Sequence, residues 1–269
     1  MEHNQIRPNT VVWFDGPENY AGYLKDIPAR FHDNFSSSFA GGTFDQALNK
    51  LIHGDTHGLA KAQSIIDQMQ DQQIFSLMSQ SIVSDVVGFM PNVPNALMGA
   101  PKDMYNIAQV EDETLVSPIK VFVETTVSGG LTHDELINRG VAIIAFVLAM
   151  NMVRPVELYV ASFGRTESST ENGAIVRIPT SPIDLDRAVY MLAGVGYCRQ
   201  LMFTTVCYQS NWPDSHGIPF ARNCRDICKC EPHDVLIEGG HLNDKLMLRD
   251  PIAWVKQMIE KHNTRENVL

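Results

Sequence analysis

A stretch near the middle of the chain, residues 117–164, constrains the fold most because it has the pattern of a complete βαβ unit. Residues 119–123 are an apolar run rich in β-branched residues, which is typical of a strand buried on both faces. Thr132 and Glu135 have the spacing of a capping box, which predicts the start of a long apolar helix over residues 133–152. Pro155 ends this helix, and the following apolar run predicts the next strand. The unit therefore predicts an α/β fold.

The remaining pattern predicts an open mixed or parallel sheet with flanking helices. A boundary near residue 112 separates a mainly helical N-terminal region, residues 1–112, from an α/β core, residues 113–269, on which it packs. Residues 207–233 show no clear periodicity and predict a long loop. Strands of the core are expected at residues 119–124, 156–163, 174–178, 201–206 and 235–238, with further candidate strands at 10–14 and 81–89. The residues of the long helix expected in the core are Val141, Ile144, Ala145 and Leu148.

Charge and hydropathy exclude some classes of protein. The chain has 31 acidic and 21 basic residues and a net charge of −10, which argues against a uniformly cationic surface for phosphates but not against a local basic groove. No apolar run reaches the roughly 20 residues that a membrane helix needs. The first residues lack the apolar segment of a secretory signal. We therefore expect a cytoplasmic protein without a membrane partner.

The five cysteines lie late in the chain, between residues 198 and 230. The odd count and the absence of a signal segment favour reduced thiols. Cys224, Cys228, Cys230 and His233 suggest a zinc site, but their spacing lacks the paired Cys-x-x-Cys elements of common structural zinc sites. We favour a loop with small, partly buried thiols, and we expect no cofactor.

Signatures of common enzyme classes are missing from the sequence. There is no Walker A motif, no Gly-x-Gly-x-x-Gly fingerprint and no Gly-x-Ser-x-Gly elbow. A nucleotide- or phosphate-using enzyme is a third class, and it would need turnover that no motif of the chain predicts. The sequence therefore favours a protein that is not an enzyme.

The turn after the first strand of the βαβ unit lies where ligands bind in open α/β sheets. Its layout resembles the strand-loop-helix of von Willebrand factor A domains, which hold a divalent metal with Asp-x-Ser-x-Ser. The corresponding residues here are Glu124, Thr126 and Ser128, whose oxygens suit Mg²⁺. We favour a simple capped turn without metal. The alternative is a protein-interaction scaffold with a von Willebrand A-like core, which binds a partner through a metal ion or through loops without metal. The same pattern also fits a Rossmann-like core.

Two polar segments interleave aromatic and basic residues, the combination that binding of single-stranded nucleic acid requires. Arg139, in the first turns of the long helix, is a further candidate for phosphate contact, although we favour a structural ion pair with Glu124 or Asp134. The opposing interpretation of the aromatic residues is that they anchor their segments to the core. The candidates are Lys25, Arg30, Phe31, Phe35 and Phe39 in and just before residues 27–43, and Trp212, Arg222, Arg225 and Lys229 in residues 207–233.

The order of short motifs over residues 10–165 resembles a family of bacteriophage proteins. The matching pieces are Phe14, Pro28-Ala-Arg30, Ser38 to Phe44 leading into Ala47-Leu48, Val93-Pro94 with Gly99-x-Pro101, and Ile137-Asn-Arg-Gly140 leading into an apolar helix and the strand at 156–160. Members from phages related to N4 are single-stranded DNA-binding regulators of transcription. The resemblance implies single-stranded DNA as a partner, a role as transcription or replication cofactor with a phage RNA polymerase, and the cytoplasm of an infected bacterium. It implies no catalytic residues, and homo-oligomer formation stays open.

Overall fold

The structure is a computed structural model, and it describes most of the central and C-terminal chain. The described residues are 10–32, 36–56, 60, 63–64, 67–68, 82–86, 90–102, 104–107, 118–126, 130–151, 154–165, 171–211, 223–239 and 245–266.

The strands of the described residues form two sheets. They are β1 (Thr10–Phe14), β2 (Ile82–Asp85), β3 (Met90–Pro91), β4 (Met104–Ile107), β5 (Ile119–Glu124), β6 (Val156–Arg165), β7 (Glu171–Ile178) and β8 (Val235–Ile237). The main sheet has the order β1-β7-β6-β5-β8, and the small sheet has the order β2-β4-β3. In the main sheet β6 and β7 are antiparallel, and the other neighbouring pairs are parallel. The main sheet is therefore open and mixed.

The predicted βαβ unit is present as β5, the central helix His133–Asn151 and β6. A capping box starts the helix, because Glu135 N donates to Thr132 Oγ1 at 3.3 Å and Thr132 N donates to Glu135 Oε2 at 2.8 Å. At the other end, the side chain of Asn151 accepts a hydrogen bond from Val156 N and so ties the helix to the start of β6. The four core residues predicted on this helix are all buried, which confirms that prediction.

Other helices surround the central helix and cover one face of the main sheet. The central helix packs against the helices Leu185–Ala193 and Pro251–Glu266. Gly140 permits the first contact, since a Cβ at this position would lie 2.6 Å from the Cβ of Ala193. The helices of the described residues are Pro17–Lys25, Ser37–Ala40, Phe44–His53, Val93–Leu97, His133–Asn151, Leu185–Ala193, Met202–Ser210, Cys224–Ile227, Lys245–Arg249 and Pro251–Glu266, with a 3₁₀ turn at Ala29–Phe31 and a π-helical turn at Tyr197–Leu201.

The two faces of the main sheet carry separate apolar cores because side chains alternate along each strand. Val121 and Val160 lie in the large core together with the central helix. Phe122 and Ala161, their neighbours in sequence, lie in a small core on the opposite face. Cys224, at the start of the short helix Cys224–Ile227, packs on this small core. The predicted class, an open α/β fold with flanking helices, is confirmed.

One predicted strand of the core, residues 201–206, is wrong. This segment is the end of the π-helical turn and the start of the helix Met202–Ser210. A short run that lacks alternating polar residues cannot be assigned to strand or helix by periodicity, and this one is almost entirely buried. Thr205, a β-branched residue that favours strands, is accommodated because its hydroxyl donates to Leu201 O one turn back.

The structure also specifies three other segments that the sequence predicted. The strand predicted at 10–14 is present but belongs to the main sheet, where it pairs with β7. The predicted loop 207–233 is shorter, because residues up to Ser210 continue a helix and Cys224–Ile227 forms another. The candidate strand at 81–89 is represented by β2. None of the described helices is both long enough and apolar enough to cross a membrane.

Candidate nucleic-acid interface

Trp13 exposes 44% of its surface although it lies within β1. Residues two apart on a strand share a face, so Trp13 lies on the same face as Val11 and opposite to Phe14. Val11 packs on the small core, and Phe14 packs on the large core. Trp13 is therefore presented on the sheet face that points away from the central helix.

Two further rings lie beside Trp13. The ring centroids of Trp13 and Tyr159 are 5.8 Å apart, and those of Trp13 and Phe122 are 6.1 Å apart, both with edge-to-face geometry. Phe122 and Tyr159 are neighbours in the register of β5 and β6, and their rings stack at 4.9 Å. Phe122 is buried, Tyr159 is half-buried and Trp13 is exposed. We call these three residues the aromatic face.

A polar row borders the aromatic face. The Tyr159 hydroxyl donates to Glu157 Oε2 at 2.9 Å, and Arg177 Nη2 lies 3.4 Å from Glu157 Oε1. Burial, followed by the hydrogen bond and charge of Glu157, raises the pKa of Tyr159 to about 12, so the phenol stays neutral. Arg177 is the register neighbour of Tyr159 on β7, and its side chain is half exposed. A guanidinium beside an open ring is suited to a phosphate that adjoins a stacked base.

Further cations lie across β6 from Arg177. Burial raises the pKa of the Cys230 thiol, and the charges of Arg225 on the short helix and Lys120 on β5 partly offset this rise, so both cations lie close to this residue. Cys230 packs on the small core. Arg225 and Lys229 are exposed, and Arg225 Nη2 is held by a 2.8 Å hydrogen bond to Glu231 O. Positive side chains therefore occur on both sides of Tyr159.

The candidates in and before residues 27–43 have a different setting. Lys25 and Arg30 are exposed, as predicted, and the Arg30 guanidinium lies 4.9 Å from the centre of the Phe31 ring. Phe31 itself is only 1% exposed, so its ring has no open face on which a base could stack. Phe39 is 37% exposed, but the Arg199 guanidinium lies 4.7 Å above its ring.

The two predicted groups of binding residues lie on different sides of the main sheet. Phe31 packs in the large core on the helix side. Cys224 and Cys228, which flank Arg225, pack in the small core on the other side. Among the described residues, Arg30 and Arg225 therefore do not line one common groove.

Arg139 is a structural residue in this conformation. It is buried, and its Nη2 donates to the main-chain oxygen of Glu124 at 2.7 Å and approaches the main-chain oxygen of Glu238 at 3.5 Å. The favoured pairing with Glu124 therefore occurs through the backbone of that residue, and the charge of Arg139 offsets only part of the rise that burial causes in the pKa of the Glu124 carboxyl.

The Glu124 carboxyl is enclosed by protein. Its Oε2 accepts hydrogen bonds from Gly239 N at 3.0 Å and from Cys224 Sγ at 3.4 Å. Burial outweighs these contacts and raises the pKa of Glu124. Thr126 Oγ1 is engaged by Ser162 Oγ at 3.0 Å and by the backbone of Phe163. A buried carboxyl with a raised pKa and an engaged hydroxyl fit the capped turn better than a Mg²⁺ site.

The late cysteines do not form a metal site within the described residues. Cys224 contacts Glu124, whereas Cys228 and Cys230 share a side-chain hydrogen bond. His233 Nε2 lies 3.6 Å from Asp234 Oδ1. In the part of the chain that the structure describes, no group of three or more His, Cys, Asp or Glu residues is placed to hold a metal ion.

Four of the sequence candidates lie outside the described residues. They are Phe35, Trp212, Arg222 and Ser128.

Sequence reasoning missed the aromatic face itself. Trp13 and Tyr159 lie in apolar runs, which predict burial, whereas the polar segments 27–43 and 207–233 predict exposed rings. The available signal was alternation: β1 places Trp13 on one face and Phe14 on the other, so a strand buried on one face only would expose one of them. Which face stays open depends on the packing of distant helices, which the local sequence does not encode.

The fold and this surface define an open α/β protein with an exposed aromatic group on one face of its sheet. Comparison with family models shows that residues 4–265 match the family described as "Domain of unknown function (DUF7192)", and the chain belongs to this family. Comparisons with curated proteins and with solved structures gave no match.

Proposed function

We propose that the protein binds single-stranded DNA through the aromatic face, with little preference for sequence. The observation that carries the proposal is the exposure of the large Trp13 ring within a strand of the main sheet. Burying this ring under a base would remove apolar surface from water and add a stacking contact. Residues 27–43, proposed from sequence, do not belong to this site because Phe31 is buried on the helix side, whereas Arg225 of residues 207–233 lies near Cys230 on the same side of the sheet as the aromatic face.

Single strands are favoured over duplex because a paired base has both of its faces covered by neighbouring base pairs. A base of a single strand can leave its neighbours and stack on a protein ring, which contributes about 1–3 kcal/mol per base. Every base has such a face, so stacking alone gives little sequence preference. Tyr159 and Phe122 support Trp13 from behind, which limits the conformational entropy that its ring loses on binding.

The cations supply the second part of the interaction. Arg177 and Lys120 flank Tyr159 and Glu157 in the strand register, and Arg225 and Lys229 belong to the segment that packs on the same side of the sheet. These cations would meet phosphates. The whole chain carries a net charge of −10, so the attractive field is local and the affinity moderate. Binding should weaken steeply with salt, as phosphate contacts do.

The biological role that we propose follows from the resemblance to regulators from N4-related phages. The protein would act on single-stranded DNA as a transcription or replication cofactor of a phage RNA polymerase, in the cytoplasm of an infected bacterium. It would have no catalytic activity of its own.

The test compares a labelled oligodeoxythymidylate with a duplex of the same length by fluorescence anisotropy across a salt series. Trp13→Ala should weaken single-strand binding by about 1–3 kcal/mol, or roughly five- to more than a hundredfold in Kd. Tyr208→Ala is the matched control, because Tyr208 is an exposed ring that packs against Phe31 and Tyr23 on the helix side. Thermal melts would establish that both variants are folded.

Equal affinity for duplex and single strand, or absence of binding at low salt, would contradict the proposal. Equal losses in Trp13→Ala and Tyr208→Ala would contradict the assignment of the binding face while leaving DNA binding itself in place.

The second candidate is the protein-interaction scaffold. The observation that favours it is a set of exposed apolar side chains in the segments that connect the strands of the small sheet, namely Val86, Val93, Leu97 and Met98. Replacing Leu97 and Met98 by Ser should then abolish capture of a purified protein partner without changing DNA affinity. The metal-dependent form of this scaffold predicts a thermal shift with Mg²⁺ that Ser128→Ala removes.

A further inference from the structure

The chain beyond the short helix Cys224–Ile227 turns in a way that brings two thiols together. Lys229 has a φ of +52°, the left-handed conformation that ends many helices. Cys230 N donates to Arg225 O at 3.0 Å, and Lys229 N donates to Asp226 O at 3.1 Å. These two bonds are the pair that defines a Schellman motif. The motif fixes the backbone on both sides of Lys229, and therefore fixes the positions of Cys228 and Cys230.

The two thiols differ in access and in chemistry. Cys228 is buried and Cys230 is half-buried, so reagents reach Cys230 first. The two side chains share a hydrogen bond. Burial raises the pKa of both thiols, but Arg225 and the hydrogen bond from Cys228 partly offset this effect for Cys230. Cys230 is therefore the thiol that ionises first and attacks first.

We propose that Cys228 and Cys230 are a thiol modification site that closes to a disulfide on reaction with a small-molecule disulfide. The inference is independent of DNA binding. It rests on the Schellman motif, on the direct contact of the two side chains and on the access to Cys230.

The reaction proceeds by two exchanges. The Cys230 thiolate attacks one sulfur of the reagent, a mixed disulfide forms and the first reagent thiol leaves. Cys228, after loss of its proton to solvent, attacks Sγ of Cys230, and the second reagent thiol leaves. Two protein thiols are oxidised to one disulfide, and one molecule of the small disulfide is reduced to two thiols. Because burial raises the pKa of both cysteines, the reaction should be faster at pH 8.5 than at pH 7.

The position of Lys229 between the two cysteines allows the disulfide to be detected by peptide mapping. Trypsin cleaves after Lys229, between the two cysteines, so the reduced protein yields them on separate peptides. After incubation of the folded full-length chain with oxidised glutathione and trapping with an alkylating reagent, non-reducing digestion should give the two peptides joined. Reduction should separate them, and the intact protein should lose two of its five free thiols.

Cys230→Ser should abolish the joined peptides. Cys207→Ser is the matched control: it removes a buried thiol from the helix Met202–Ser210 and should leave the joined peptides unchanged. A Cys224–Cys228 link instead, stable glutathione adducts without closure, or a link that forms only in denaturant would each overturn the proposal. The wild-type mapping needs no variant, so a poorly folded Cys230→Ser does not affect the test.

Discussion

Arg139 Nη2 donates a 2.7 Å hydrogen bond to the main-chain oxygen of Glu124, so a cation in the central helix holds the end of β5 in place. The same guanidinium approaches the main-chain oxygen of Glu238, just after β8. Two neighbouring strands of the main sheet are thereby joined to the helix at one point. The sequence made Arg139 a candidate for phosphate contact, but its guanidinium instead binds main-chain oxygens inside the protein.

Replacing Arg139 by Ala should destabilise the protein and leave DNA affinity unchanged in the folded fraction. Loss of a charged hydrogen-bond donor from a buried site costs about 1.5–3 kcal/mol, because the carbonyl oxygens lose a partner. Urea denaturation gives the change in the free energy of unfolding, and anisotropy titration gives the affinity. Arg30→Ala is the control, since Arg30 is an exposed arginine and its loss should leave stability nearly unchanged. Wild-type stability with lost DNA affinity would identify Arg139 as a phosphate ligand instead.

The central helix provides a test of the large core. Leu148 is 4% exposed, and Leu148→Ala should lower the free energy of unfolding by about 2–5 kcal/mol through lost burial and a residual cavity. Leu97→Ala, at a leucine that is 84% exposed, is the same chemical change without burial and should have little effect. Similar losses at the two positions would be incompatible with the packing described here.

Glu124 should make the protein less stable as the pH rises. Burial raises its pKa in the folded state above the ordinary value of 4.5, so the folded protein holds this proton more tightly than the unfolded chain does. By linkage, this contribution to stability is fully present below the unfolded pKa and is lost as the pH rises through the folded pKa.

Glu124→Gln removes the titration while keeping the shape of the side chain. The stability of this variant relative to wild type should therefore increase between pH 4 and pH 8, measured by urea denaturation at each pH. Glu231→Gln, which removes an exposed carboxylate by the same chemical change, is the control for the loss of one negative charge. A difference between Glu124→Gln and wild type that stays constant with pH would show that Glu124 does not titrate in this range.

The local parts of the fold were predictable because local sequence determines them. The Thr132–Glu135 capping box and the apolar helix after it are examples, because caps and periodicity act within a few residues. Residues 201–206 were not predictable in the same way, because their local pattern fits a strand. Tyr20, from a helix distant in sequence, contacts them with its hydroxyl 2.8 Å from Thr205 Oγ1. Tertiary packing therefore determines that this segment is helical.

The binding surface was predictable only in part, for the same reason. Arg225 and Lys229 were predicted from composition and are exposed beside the small core. Phe31 has the same local surroundings of polar and basic residues as an exposed ring, yet it is buried against Tyr208 at 5.4 Å. Trp13 has the surroundings of a core residue, yet it is exposed. Whether a ring is open or covered depends on elements distant in the chain.

The last prediction separates the two groups of cations that the sequence proposed. Arg225 lies near Cys230 on the side of the sheet that carries the aromatic face, whereas Arg30 lies over Phe31 on the helix side. If single-stranded DNA occupies the aromatic face, Arg225→Ala should remove one phosphate contact and lower the magnitude of the slope of log Kobs against log salt by about 0.7. Arg30→Ala should leave the slope unchanged, and both variants lose one positive charge, so the overall charge of the protein changes equally. The measurement is an anisotropy titration with oligodeoxythymidylate at several salt concentrations, with thermal melts as a check on folding. A lower slope in Arg30→Ala alone would show that the DNA binds on the helix side of the sheet, at residues 27–43.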